Sequence, residues 1–192
     1  ADLLASPLQP AAVELLNGPA AQLAGLGEGW RLLVGLEGFR ADIAATQARL
    51  GELARAHALP AWQVVENDCT ALWARVTDLG QTPGEGQPVL KAAVPLAATA
   101  ASAADLTGLQ ADLPLRAAPG LGLLHVALTP ETAPASFQHE VQALVLPRGG
   151  VTSWLAPTPV RTVTVLSEVT RDLSLRLKNA LDPGGVLPPL RV

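Results

Sequence analysis

Apolar positions in this chain fall into short runs separated by glycine, proline and charged residues, and their spacing predicts strands and helices in alternation. Residues 10–16 follow Ser6-Pro7 and read as a short helix stopped by Asn17-Gly18-Pro19, because glycine and proline both end helices there. Residues 25–29 (GLGEG) read as a flexible linker. Residues 31–37 (RLLVGLE) form a compact apolar run, most simply a buried strand. Over residues 40–58, Ile43, Leu50 and Leu53 are interleaved with Arg49, Glu52 and Arg55, which predicts a helix with one face on a core. Pro60 closes it, and residues 61–66 (AWQVVE) give a second strand, completing a strand–helix–strand unit.

Asp68 is placed to cap a further helix running to Thr77, with Leu72, Trp73 and Val76 gathered on one side. Residues 80–88 are rich in glycine and proline and predict a loop. The pattern then repeats: a strand at 89–94, a helix at 102–111, and one or two strands over 115–128, broken at Pro119-Gly120. A helix over 135–146 sets Phe137, Val141, Leu144 and Val145 at helical spacing, and Arg148-Gly149-Gly150 turns into a strand over 151–155. Residues 160–166 alternate like an edge strand or extended arm, and 171–181 form a last helix with Leu173, Leu177, Ala180 and Leu181 on one side. Such units predict an α+β fold, a ferredoxin-like lobe whose antiparallel or mixed sheet is covered by helices, ending in a C-terminal helix and extended tail. The rival is a doubly wound nucleotide fold, but Gly35-Leu36-Glu37-Gly38 after the first strand lacks the GxGxxG spacing that fold needs.

Composition narrows the function classes. With 192 residues, 49% hydrophobic and 16% charged, the chain can bury a sizeable core and does not have the make-up of a disordered segment. A net charge of −4 with scattered arginines makes a poor nucleic-acid footprint. The single Cys69 rules out an internal disulfide framework and a CxxC site. No uncharged stretch is long and unbroken enough to cross a bilayer, and the first ten residues do not read as a signal peptide. A chain that opens on Ala and contains no methionine is read as a processed product, an expression fragment or a trimmed sequence.

Short catalytic motifs fail one by one. His139-Glu140 opens like HExxH, but Ala143 occupies the second ligand position. The glycines of 25–29 precede a strand instead of following one, so they do not aim amides at a phosphate from a helix start. No GxSxG or GxxxxGK[ST] sequence occurs, and Trp30, Trp62, Trp73 and Trp154 are dispersed, as core or lobe-contact residues are. These residues offer no self-sufficient active site.

The C-terminus carries a more specific pattern. Lys178, Leu181, Asp182, Pro183, Gly185, Val186, Leu187, Pro189 and Arg191 match the closing signature K-x-x-(L/F)-D-P-x-G-(I/V)-(L/F)-N-P-G-(R/K). In this respect the chain resembles FAD-linked oxidases of the vanillyl-alcohol oxidase type, with Pro188 in place of the Asn and Leu190 in place of the second Gly. Residues 34–38 (VGLEG) look like the V-x-x-E-G strand that opens the family's cap lobe, and Leu72-Trp73-Ala74-Arg75 is similar to its L-W-x-x-R helix. Residues 6–16 look like the segment joining flavin domain to cap. Together these resemble the E-subunit family of glycolate oxidase (glycolate dehydrogenase) over essentially the whole chain.

That resemblance implies a cap lobe over residues 30–166, preceded at 1–29 by a linker and short helix from a flavin domain outside the chain, and followed at 167–192 by a helix and flavin-facing tail. It implies FAD in the intact protein, none bound to this chain alone, and no catalysis by the lobe alone. It assigns Arg75 to a substrate carboxylate and Lys178 and Arg191 to the cofactor. An ordinary helix or surface role suits each equally, Arg75 pairing with Asp78 or Asp68. Metal-using members carry H-x-G-D-G-N-x-H, whereas residues 118–125 read APGLGLLH, leaving His125 as the remnant and no expected metal, since one imidazole does not make a site. Implied partners are the chain's own flavin domain, other glycolate oxidase subunits including an iron–sulfur subunit, and a small 2-hydroxy acid, with no nucleic acid. The implied location is cytoplasmic, peripheral to the inner membrane where the complex attaches there. Two other readings remain: a non-enzymatic ferredoxin-like module for ligand binding or subunit contact, and an acylphosphatase-like enzyme, which lacks its strand-to-helix Arg loop here.

Overall fold

The computed structural model describes residues 2–59, 62–65, 67–78, 88–128, 132, 134–155 and 168–186. Its centre is the run β3 (Val89–Ala93), α5 (Thr99–Leu109), β4 (Leu115–Ala118), β5 (Leu123–Ala127), α6 (Pro134–Val145) and β6 (Val151–Trp154). The strands lie in the order β4-β5-β3-β6, every pairing antiparallel, so β3 and β4 run parallel with β5 between them. This is the ferredoxin-like split βαβ arrangement. It excludes the doubly wound alternative, which requires neighbouring parallel strands.

An N-terminal hairpin enlarges the sheet. After the short α1 (Asp2–Ala5), β1 (Ala12–Leu16) pairs with both β2 (Arg31–Gly35) and β4, giving a six-stranded sheet in the order β2-β1-β4-β5-β3-β6. Residues 10–16 are therefore not the short helix expected from the sequence. Val13 and Leu15 face one side while Glu14 and Leu16 face the other, and this period of two is met by sheet neighbours on both edges. Asn17-Gly18-Pro19 stops a strand and starts α2 (Gly18–Leu23), with Asn17 as its N-cap and Pro19 in the first turn. The predicted linker over 1–29 thus contains an inner strand of the sheet, and β1 joins residues on both sides of the proposed boundary at 29/30.

Further differences cluster in the same region. β2 is a strand, but an edge strand that ends at Gly35, with Arg31 and Leu32 exposed, so it is not the buried strand expected. Residues 62–65 form no strand, and Trp62, Val64 and Val65 are exposed; Pro60, Ala61 and Glu66 lie outside the described residues. Among the described residues the first strand–helix–strand unit therefore does not form. The helix α3 (Arg40–Ala56) forms where expected, yet it buries only Gly51 and presents no broad apolar face to a core. The next helix, α4 (Cys69–Thr77), buries Leu72 and Val76 as predicted, although Asp68 at its N-cap adopts a left-handed conformation and makes no side-chain cap bond. The expected strand at 160–166 and nearly all of the expected loop at 80–88 fall outside the described residues. The last helix, α7 (Glu168–Leu181), starts three residues earlier than predicted and buries none of its residues.

Strand alternation splits the apolar residues between two cores. On one face, Leu15, Leu90, Ala92, Leu115, Ala117, Leu124, Val126 and Trp154 meet Ala103 and Leu106 of α5 and Phe137, Val141 and Val145 of α6. On the other face, confined to the hairpin end, Leu16 and Leu33 meet Ala20 and Ala21 of α2 and Leu72, Trp73 and Val76 of α4. Two glycines are required by this geometry. Gly122, at φ +67°, closes the β4–β5 turn where a Cβ would strike the Val94 carbonyl oxygen; at Gly150 a Cβ would lie 2.6 Å from the Ala93 oxygen. Among the described residues no helix is long and apolar enough to cross a membrane.

Candidate functional site

The sheet face opposite α5 and α6 carries a row of polar side chains across four adjacent strands. In register these are Arg116 on β4, His125 on β5, Lys91 on β3 and Ser153 on β6. Each is the polar residue of an otherwise apolar strand: L-R-A-A, L-L-H-V-A, V-L-K-A-A and, with Thr152, V-T-S-W. Alternation explains why they assemble. If Leu90, Ala92, Leu124 and Val126 enter the main core, the residues between them must face the other way.

Arg116 ties this row to the rest of the molecule. Its Nη1 donates to the carbonyl oxygens of Val76 and Thr77, both at 3.2 Å, which caps the C-terminal end of α4 with a positive charge. Its Nη2 lies 3.3 Å from His125 Nδ1. A guanidinium can only donate, so Nδ1 accepts and the imidazole proton is carried on Nε2. On the β1 side, Arg116 Nε and Glu14 Oε2 are 3.8 Å apart, an ion pair too long to be a hydrogen bond, and both atoms are buried without a hydrogen-bond partner.

Electrostatics at the row follow from this crowding. Burial, reinforced by the positive charges of Arg116 and Lys91, drives the His125 pKa down from 6.5 to about 4. Neutral imidazole is therefore the resting state at neutral pH. Burial also raises the Glu14 pKa, with Arg116 pulling against it.

The residues singled out in the sequence do not converge. Arg75 Nε donates to the Ala24 oxygen at 3.0 Å, bracing the end of α2, and makes no described ion pair with Asp68 or Asp78. Counted from Leu72, the L-W-x-x-R spacing reaches Val76, which is fully buried, while Arg75 lies one residue earlier on the exposed side of α4. Lys178 Nζ is 2.7 Å from Asp182 Oδ2, and Asp182 Oδ1 accepts from the Val186 amide at 2.7 Å. The described part of the C-terminal signature is thus a helix end folded onto its own carboxylate, with Gly185 at φ +65° in the turn. Arg191 lies outside the described residues. The described partners of Arg75, His125 and Lys178 share no residue.

The described side chains form neither the metal site of the metal-using members, which the resemblance does not extend to this chain, nor a holding site for the FAD that it does imply. For a divalent metal, no three His, Cys, Asp or Glu residues come together among them. His125 offers no free lone pair while Nδ1 accepts from Arg116, and two cations flank it. For FAD, the Lys178 ammonium already faces the Asp182 carboxylate. The three positive-φ glycines of the 25–29 turn are braced by Arg31, which donates to the Leu26 and Trp30 oxygens, both at 3.1 Å.

Sequence reasoning missed Glu14, Lys91, Arg116 and Ser153. A signal was present: three short apolar strands each hold one charged or imidazole side chain at a position whose neighbours on both sides are apolar. In comparison with known proteins, no family model and no curated protein matches the chain.

Proposed function

We propose that this chain is the cap lobe of an FAD-dependent 2-hydroxy-acid dehydrogenase subunit, of the glycolate oxidase kind, in which the flavin is held by a domain outside these residues. The observation that carries the reading is the Lys178–Val186 stretch, where the signature sequence coincides with a helix end closed by Asp182 and a positive-φ Gly185. The ferredoxin-like sheet supports it, since one face is sealed by α5 and α6 and the other presents Arg116, His125, Lys91 and Ser153. On this reading the polar face covers the substrate side, and the exposed Val169, Leu173, Leu177 and Leu181 of α7 lie toward the flavin domain or partner subunits, an iron–sulfur subunit among them. The location is cytoplasmic, peripheral to the inner membrane through the complex.

Oxidation requires the flavin; the residues here orient the acid and hold a neutral imidazole on the strand next to Lys91. A second reading, a non-enzymatic ligand-binding or subunit-contact module, is favoured by one feature: Arg116 is committed to α4 and His125.

The test is expression of the chain alone and of the chain extended through its upstream coding sequence. The short form is expected to be colourless and inactive toward glycolate with a dye acceptor, and the extended form to bind flavin and turn over. An extended form that binds no flavin would overturn the reading in favour of the second.

A further inference from the structure

The geometry points to a metal-free oxyanion site on the row His125–Lys91–Ser153, where Lys91 is the register neighbour of the imidazole. The three residues are consecutive in register across β5, β3 and β6, on strands about 5 Å apart. Arg116 holds His125 Nδ1 as an acceptor, so the ring's other polar group, Nε2–H, is a donor. The Lys91 ammonium adds donors without an acceptor, and the Ser153 hydroxyl adds another donor. The row is therefore rich in donors and poor in lone pairs.

Charge balance favours an anion for the same reason. Glu14 sits at 3.8 Å from Arg116 and offsets that guanidinium, whereas Lys91 has no carboxylate partner among the described residues. The immediate neighbours on this face are apolar: Leu123 and Ala127 beside His125, Val89 and Ala93 beside Lys91, and Val151 beside Ser153. A compact oxyanion spanning Nε2–H and Nζ would satisfy both donors in surroundings where charge-assisted bonds are strong. A cation would have to displace Arg116 from Nδ1 or remove the Nε2 proton beside an ammonium.

This deepens the cap-lobe reading, because a hydroxy acid would bring its carboxylate to the row, yet it fails independently. The experiment follows the His125 ring signals of the 192-residue chain by NMR while formate, glycolate, sulfate and then Mn²⁺ are added. Saturable shifts with formate or glycolate are expected. A sulfate response of equal size would support the site as a general oxyanion receptor, and its absence would mark a carboxylate preference. Lys91→Met should weaken binding by about tenfold, Lys91→Arg should retain it, and Mn²⁺ should leave the ring signals sharp. Selective broadening by Mn²⁺, unchanged anion affinity in a folded Lys91→Met variant, or no shift with any anion would each overturn the inference. None of these outcomes bears on flavin content, which tests the cap-lobe reading separately.

Discussion

Asn17→Ala removes the side chain that joins the hairpin to the ferredoxin-like half. Asn17 is fully buried; its Oδ1 accepts from the Ala20 amide at 3.1 Å and the Leu115 amide at 2.9 Å, and its Nδ2 donates to the Leu113 oxygen at 2.8 Å. The substitution leaves two backbone donors and one acceptor without partners in a place water does not reach. Each orphaned buried group costs roughly 1–3 kcal/mol, and relaxation recovers part of that, so the expected loss is about 3–5 kcal/mol. Against a usual domain stability of roughly 5–15 kcal/mol this is a large fraction. Urea unfolding followed by circular dichroism and tryptophan fluorescence measures it. With a slope of about 2 kcal/mol/M the midpoint should fall by roughly 1.5–2.5 M at unchanged slope. A loss below about 1 kcal/mol would show that the network is not what fixes β1 against β4, and would refute the reasoning.

Other substitutions probe separate parts of the molecule. Gly122→Ala places a Cβ against the Val94 oxygen at a positive φ and should cost about 2–4 kcal/mol, seen as a lowered thermal midpoint; an unchanged midpoint would mean that the turn can re-form. The His125 pKa lies below its unfolded value, so its contribution to stability is full above pH 6.5 and is lost as pH falls toward about 4. The full separation corresponds to ~3 kcal/mol, reduced to about 1–2 kcal/mol by the partial exposure of the ring. Denaturation of wild type and His125→Gln at pH 7 and pH 4.5 should show the variant losing less on acidification, and equal losses would contradict the assignment. Trp154→Phe deletes the bond from Nε1 to Gln138 Oε1 at 2.8 Å and should cost about 1 kcal/mol in the same urea assay; no change would mean that solvent already serves Gln138.

The second half of the chain was legible because its periodicity and its tertiary environment agree. Val89–Ala93, Leu123–Ala127 and Val151–Trp154 are apolar enough to read as strands, and α5 and α6 carry buried residues at helical intervals. The first half was less legible. Residues 12–16 take their structure from β4, about a hundred positions away, and Pro10 with Leu15-Leu16 mimicked a helix start. Trp62–Val65 looks like a strand by composition but gains no sheet neighbour. The polar row was half visible: His125 stood out through a motif, whereas Arg116 and Lys91 acquire meaning only once the register sets them on either side of it.

The pairing of β1 with β4 also sets a timetable for folding. Asn17 meets Leu115 at a sequence separation of 98, whereas all strands of the ferredoxin-like half pair within the stretch from Val89 to Trp154. Closing so long a loop is slow relative to local pairing, so β1 should dock late. On a ribosome moving at roughly 5–20 residues per second, the hairpin would wait about 5–20 s for its inner neighbour, with Leu15 uncovered meanwhile. Nascent chains of this protein should therefore recruit holding chaperones at the hairpin until β4 has emerged.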